Sequence, residues 1–507
     1  MRLLLIVLLI TSGLANAQTS LPRSKSPEDE GVSSEAITQF LQAASASKHE
    51  FHSIIIVRHG KVVAEGWWSP YKPALKHTMY SVSKSFTATA IGFAVTEKKL
   101  SVDDKVISFF KDDLPDTVST NLEQLRIKDL LSMSVGHQAD PTGVVNATDN
   151  WPKAFLRVPI VNAPGTKFLY NSAATYMLSA IVQKVTGQKV IDYLKPRLFD
   201  PLGISGIDWE IDPMGVNVGG WGLRLKTEDM AKFGQLFLQQ GMWKGRQILP
   251  ASWVTEASTK KIDQDPNATQ ARKDSSDWLQ GYCYQMWRSR HNSYRGDGAF
   301  GQYILVLPEQ DAVIAITSET AEMQPELNLV WQYLLPAFKT GKLPANAKAL
   351  STLKTTIASL RLPVPAAGMT STENNISGKT FSISNGKGFE SASFDFSNGC
   401  TLTMKTDSAT HVLNFNAGGW AMGETTKRGP YLVAGAKSNR VGLASYKVAG
   451  SYTWKDNRTL ELVLRYVESP HTEIIRCTFN DKQATIDFEN MFNRTQNRTK
   501  YTGTMNE

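Results

Sequence analysis

Apolar positions recur along this chain in different rhythms, and each rhythm predicts a kind of element. Residues 34–46 have a helix-like pattern. The stretch "HSIIIVRHGKVVAEGWW" (52–68) sets two β-rich runs on either side of His59-Gly60, which predicts a hairpin. From 81 to about 260 the pattern is helical and is cut by loops such as Ala163-Pro164-Gly165. "GQYILVLPEQDAVIAITSE" (301–319) predicts a second hairpin around a Pro-Glu-Gln-Asp turn, and residues 326–338 read as helix. Strands, then helices, then strands, then a helix is α+β order. It implies an antiparallel sheet built from both ends of a domain, flanked by helices, with a helical insertion between.

The texture changes near residue 341. "GKLPANAKAL…LRLPVPAAGMTSTENN" is rich in Pro, Ala, Ser and Thr and reads mainly as a linker with at most a short helix, through residue 375. From 376 to 507 short alternating runs such as "SASFDFSNG", "TLELVLRYVE" and "QATIDFEN" are separated by turn signals. They predict a C-terminal antiparallel β barrel or sandwich. A linker is where few contacts should cross, so a chain ending near residue 345 is expected to fold alone.

The first 17 residues have a different logic. Arg2 precedes the apolar run Leu3–Ile10, which is too short to span a membrane, and Ala15-Asn16-Ala17 offers a small-residue cleavage site. Residues 1–17 read as a secretory signal and 18–30 as a polar leader. The expected location is periplasmic or secreted, with no transmembrane anchor.

Composition narrows the function. The 507 residues are 41% apolar and 20% charged, ordinary for globular domains. The net charge of +8 is spread without a Lys/Arg block, so no nucleic-acid partner is expected. Three cysteines, Cys283, Cys400 and Cys477, do not make a disulfide scaffold, although Cys400 and Cys477 both lie late enough to pair. The eight histidines show no metal-ligand spacing, and no metal or other cofactor is implied.

Candidate chemistry begins at "MYSVSKSFTATAIG" (79–92). Ser81 and Lys84 stand one helical turn apart, so the amine can reach the hydroxyl. Ser-x-x-Lys alone says little, because it also occurs at Ser45, Ser69, Ser258, Ser351 and Ser384. At Ser81 it opens a helix that is apolar or small nearly all round. A lysine buried there loses solvation, its pKa falls, and it becomes a base. The competing reading is a lysine that snorkels from a helix end. Two other stretches weigh against it. Tyr170 and Ser172 precede a second apolar helix, and the glycines of "YRGDGAFGQYILVLPE" (294–309) allow backbone to approach a ligand.

As a set, these stretches resemble the penicillin-recognising serine hydrolases. The class C β-lactamase type is the nearer likeness, a group that also covers D,D-peptidases, carboxylesterases and 6-aminohexanoate-dimer hydrolases. The likeness spans about 31–340 and does not include the C-terminal domain. It implies a sheet flanked by helices with the site at the helical insertion. It further implies that Ser81 is acylated, and that Lys84 and Tyr170 share its activation, with the lysine pushing the phenol towards its anion. Backbone N–H groups of Ser81 and Ala299 would bind the oxyanion. Two departures bear on substrate: Ser172 stands where the family usually has Asn, and Gly296-Asp297-Gly298 stands where it has a cation followed by Thr-Gly. With Asp297 in place of the hydroxyl, a substrate carboxylate should be repelled. The flanking glycines are expected to disturb the strand, so that Arg295 does not come round to neutralise Asp297. The expected partner is a small ester, amide or peptide. A β-lactamase or D,D-peptidase is the alternative activity, and a non-catalytic binding protein of the same fold is the alternative class.

Overall fold

The computed structural model describes residues 20–368, 370–386, 388–494 and 498–506; the signal-peptide reading lies outside them. A six-stranded antiparallel sheet runs in the order Lys61–Trp67, Glu50–Arg58, Ala312–Glu319, Gln302–Leu307, Tyr294–Gly298, Trp287–Arg288. Both expected hairpins are present. His59 and Gly60 take the positive φ values (50° and 73°) that a tight hairpin turn needs, and Asp311 (46°) does the same in the second. Alternation divides each strand between two cores. Ile55 and Val57 face the helical side, while Ile54 and Ile56 pack with Phe40, Leu41 and Trp331 on the other.

The helical insertion covers the first face. Its central helix, Ser83–Thr96, is buried along almost its whole length, which is why its sequence is apolar all round. It packs against Ser172–Thr186, and Thr227–Leu238 lies across the sheet.

The segment 341–375 is more than a connector. Helix Ala347–Ala358 docks on Ser34–Ala46, and Leu353, Leu360 and Leu362 enter the outer core. Leu353 lies on that helix, and Leu360 and Leu362 follow it in extended chain, within a stretch whose Pro and Thr content masks them.

The C-terminal strands form a barrel. Nine strands close when Thr410–Ala417 pairs in parallel with Tyr446–Trp454 at Asn416–Ser451 and Ala417–Tyr452; a tenth, Ala421–Thr425, pairs outside the ring. Phe381, Leu402, Leu462, Ile475 and Ile486 fill it, with Cys400 and Cys477 buried as free thiols. Between Ala421–Thr425 and Tyr446–Trp454 the chain leaves the barrel. Residues 426–445 lie against the N-terminal half, where Tyr431 and Ala436 join its core. The expected thin junction is therefore a packed one. Glu50 pairs with Arg465, Tyr431 hydrogen-bonds Glu210 at 2.6 Å, and Thr78 N–H donates to the Glu468 carbonyl at 3.0 Å. Among the described residues no helix is long and apolar enough to cross a membrane.

Candidate active site

Ser81 lies in the 3-10 turn Tyr80–Val82 that feeds helix Ser83–Thr96. Lys84 follows one turn later, 1% exposed. Its Nζ donates to Ser81 Oγ at 3.0 Å, to Ser172 Oγ at 2.9 Å and to the Gly220 carbonyl at 2.7 Å. Burial lowers its pKa to about 7, against the opposing pull of the Asp140 and Asp297 carboxylates. An amine that titrates near neutrality and touches a serine hydroxyl is a usable proton acceptor.

The second motif divides its labour. Asn171 is fully buried and caps helix Ser172–Thr186, accepting from Ala174 N–H at 3.0 Å while its amide meets His137 at 3.0 Å. Ser172, the next residue, is the one that reaches Lys84. Tyr170 is hydrogen-bonded with Ser81, and its ring stacks on Trp287 at 5.5 Å. Lys84 Nζ sits over the ring face, 4.9 Å from its centroid. The expected drift of the phenol towards its anion does not occur. Burial, chiefly, and the Asp297 and Asp140 charges push its pKa up, so Tyr170 stays protonated.

The third motif is a regular strand. Tyr294–Gly298 pairs with Gln302–Leu307 in unbroken register from Gly298–Gln302 to Tyr294–Val306. Residues 295 and 297 therefore project to the same side, and Arg295 Nε donates to Asp297 at 2.7 Å. The expectation that the glycines would break this alternation fails, because backbone pairing across the hairpin holds them in place. Gly298 is needed for a different reason: a Cβ there would fall 2.3 Å from the Met79 carbonyl, so only glycine lets this strand approach the turn that carries Ser81.

Ser81, Tyr170, Ser172, Asp297 and Ala299 line one cavity of about 730 Å³. Trp278 and Trp287 wall it, and Leu432, Val433 and Ala436 reach it from the C-terminal half. Its described lining includes two carboxylates, Asp140 and Asp297, and no Lys, Arg or His. Among the described residues no group of three or more His, Cys, Asp or Glu could hold a metal ion.

Sequence reasoning missed two contributors. Gly220 offers its carbonyl to Lys84 after Gly219, whose φ of 67° turns the chain there; the Gly-Gly pair was the available signal. The residues from 432 to 436 carried none, since nothing local ties them to a site some 350 positions earlier.

Comparison with known proteins supports the same frame. Residues 35–337 match the Beta-lactamase family profile. The 6-aminohexanoate-dimer hydrolase of Paenarthrobacter ureafaciens is 23% identical over 282 residues, or 52% of this chain and 71% of that protein. A provisionally named D-alanyl-D-alanine carboxypeptidase of Escherichia coli (strain K12) is 26% identical over 234 residues, 40% of this chain and 54% of that protein, so the likeness spans about half its length. Among solved structures, a provisionally named 6-aminohexanoate-dimer hydrolase from Bacillus anthracis superposes with a TM-score of 0.51 at 20% identity, over 64% of this chain and 89% of that one. That likeness is one of fold alone.

Proposed function

This chain belongs to the beta-lactamase family, and from that premise we propose that it is a secreted serine hydrolase acting through an acyl-enzyme on a small ester or amide that is neutral or carries an amine. The observation that carries the reading is the buried Lys84 amine, with its pKa near 7, 3.0 Å from Ser81 Oγ.

In the proposed cycle Ser81 Oγ attacks the carbonyl carbon while its proton passes to neutral Lys84. The Ser81 and Ala299 N–H groups receive the developing oxyanion. Lys84, now an ammonium, returns the proton to the leaving nitrogen or oxygen as its bond to carbon breaks. The protonated Tyr170 hydroxyl, bonded with Ser81, is the relay for that transfer. Ser172 Oγ and the Gly220 carbonyl hold Lys84 on the line of transfer. Water then attacks the acyl carbon of the Ser81 ester and gives its proton to Lys84; as the bond from that carbon to Ser81 Oγ breaks, Lys84 returns the proton to Oγ and the acid product leaves.

The substrate's charge is inferred from the lining. Asp140, with Asp297 held by the buried Arg295 and no cation in the lining itself, favours a neutral or amine-bearing ligand over a penicillin or D-alanyl peptide, whose carboxylate needs a cation. The secreted location rests on the apolar Leu3–Ile10 run and Ala15-Asn16-Ala17.

Intact-mass spectrometry after incubation with a fluorophosphonate, a panel of esters and amides, and β-lactams tests the reading. Wild-type protein should gain one adduct, at Ser81, with the probe and with neutral or amine-bearing acyl donors. No adduct with any probe would favour a non-catalytic binding protein, and adducts with β-lactams alone would favour the penicillin-directed alternative.

A further inference from the structure

His471 is supplied by the C-terminal half and is 0% exposed, yet its ring lies beside the nucleophile turn. Its Nε2 is 2.6 Å from the hydroxyl of Tyr80, the residue immediately before Ser81. Its Nδ1 is 2.8 Å from Glu319, at the end of sheet strand Ala312–Glu319. The imidazole is neutral, because burial and the nearby Arg440 charge lower its pKa to about 3. A neutral ring has one N–H and one lone pair, so one nitrogen donates and the other accepts, and both bonds can be made at once.

Tyr80 is a strained residue. Its φ is 45°, in the left-handed region that a bulky side chain seldom takes. Such a conformation persists only where its surroundings hold it. The side chain is held on every side. Tyr431 stacks on it at 5.6 Å, Phe300 meets it edge-on at 5.3 Å, and the Leu432 N–H reaches its hydroxyl at 3.4 Å. Phe300 is also left-handed (φ 68°), and its ring meets His471 edge-to-face at 4.8 Å. It directly follows Ala299. One imidazole therefore touches the chain neighbours of both backbone groups that the proposed mechanism uses for the oxyanion.

We propose that His471, oriented by Glu319, is a positioning residue for acylation: it holds Tyr80 and Phe300 so that the N–H groups of Ser81 and Ala299 converge on the carbonyl under attack. The inference rests on the serine-hydrolase reading above and adds to it a part for the C-terminal domain. Misplacing an oxyanion donor by a fraction of an ångström acts on the transition state and leaves substrate binding nearly untouched, so the loss falls on kcat.

The test uses the full-length chain, with p-nitrophenyl acetate kinetics, fluorophosphonate labelling rates and circular dichroism. Tyr80→Phe removes only the hydroxyl and keeps the ring packing. It should lower kcat and the labelling rate roughly 10- to 100-fold with KM changed less than about threefold. His471→Ala should do the same or worse, and His471→Gln, which keeps a polar group towards Tyr80, should recover most of the loss. Folded Tyr80→Phe protein that acylates at the wild-type rate overturns the role, as does a His471→Gln variant no better than His471→Ala. Wild-type protein that takes no label at Ser81 overturns the hydrolase reading itself and this role with it, a result distinct from equal labelling of wild type and variants.

Discussion

The Arg295 guanidinium donates to the Asp297 carboxylate at 2.7 Å from the same side of one strand, beneath the wall of the candidate active site. The pair changes the electrostatics expected of an isolated acid. Two like charges about 4 Å apart cost on the order of 4 kcal/mol at an effective dielectric near 20, and an adjacent cation removes part of that cost. Arg295 is itself engaged by the Asp277 carbonyl and lies fully buried, so it cannot swing out to a ligand. Neutral short-chain esters should still be cleaved faster than nitrocefin, by roughly 100-fold rather than the thousandfold that an isolated acid would give. Asp297→Asn leaves the Arg295 charge unbalanced and should raise nitrocefin acylation relative to p-nitrophenyl butyrate by about tenfold. Equal turnover of the two substrates by wild type would refute the assignment.

The Lys84 amine should set the lower limb of the pH profile. Burial lowers its pKa to about 7, and only the neutral amine accepts the Ser81 proton. The acylation rate should therefore rise as pH increases through about 7 and level off above it. A limb that persists unchanged in Lys84→Ala would show that another group is being titrated.

Ser81→Ala should abolish labelling while leaving the fold intact, since it removes one half-buried hydroxyl. Lys84→Ala should cost roughly a thousandfold or more in acylation. Tyr170→Phe should cost less than Lys84→Ala, because its phenol is a relay and not the base. The double variant should be little worse than Lys84→Ala alone, as expected of groups that act as a unit. Multiplicative losses would separate their roles.

A chain ending near residue 345 should lose activity. It lacks the Arg465 partner of Glu50, the His471 partner of Tyr80, the Tyr431 partner of Glu210 and the docked helix Ala347–Ala358. Soluble truncated protein that labels at the wild-type rate would show that these contacts are dispensable.

Local geometry was legible in the sequence and long-range closure was not. Ser81 and Lys84 declare themselves because the helix puts i and i+3 on one face, and His59-Gly60 because its turn needs positive φ. The same period-2 rule that identifies the strand at Tyr294–Gly298 also fixes the Arg295–Asp297 pair. Glycines weaken a strand in isolation and so hide that pair, whereas pairing with Gln302–Leu307 supplies the missing order. The Tyr80–His471 bond joins residues 391 positions apart, and no local signal encodes it. Leu353 and Leu360 stand in a stretch whose composition resembles a tether, although one lies on a docked helix and the other just beyond its end.

Residues 426–445 follow the outer strand Ala421–Thr425 and enter the closed ring at its hydrogen-bonded neighbour, Tyr446–Trp454. Their length is thus decoupled from the register of the nine strands that keep the barrel shut. Insertions, deletions or exchanges in this excursion that spare Tyr431, on which Tyr80 and Glu210 lean, would remodel the roof over Ser81, at Leu432 and Val433, with the barrel's own pairing left as it is. Selection for new substrates has here a graftable cassette, mounted on a frame that need not change for the chemistry beneath it to be redirected.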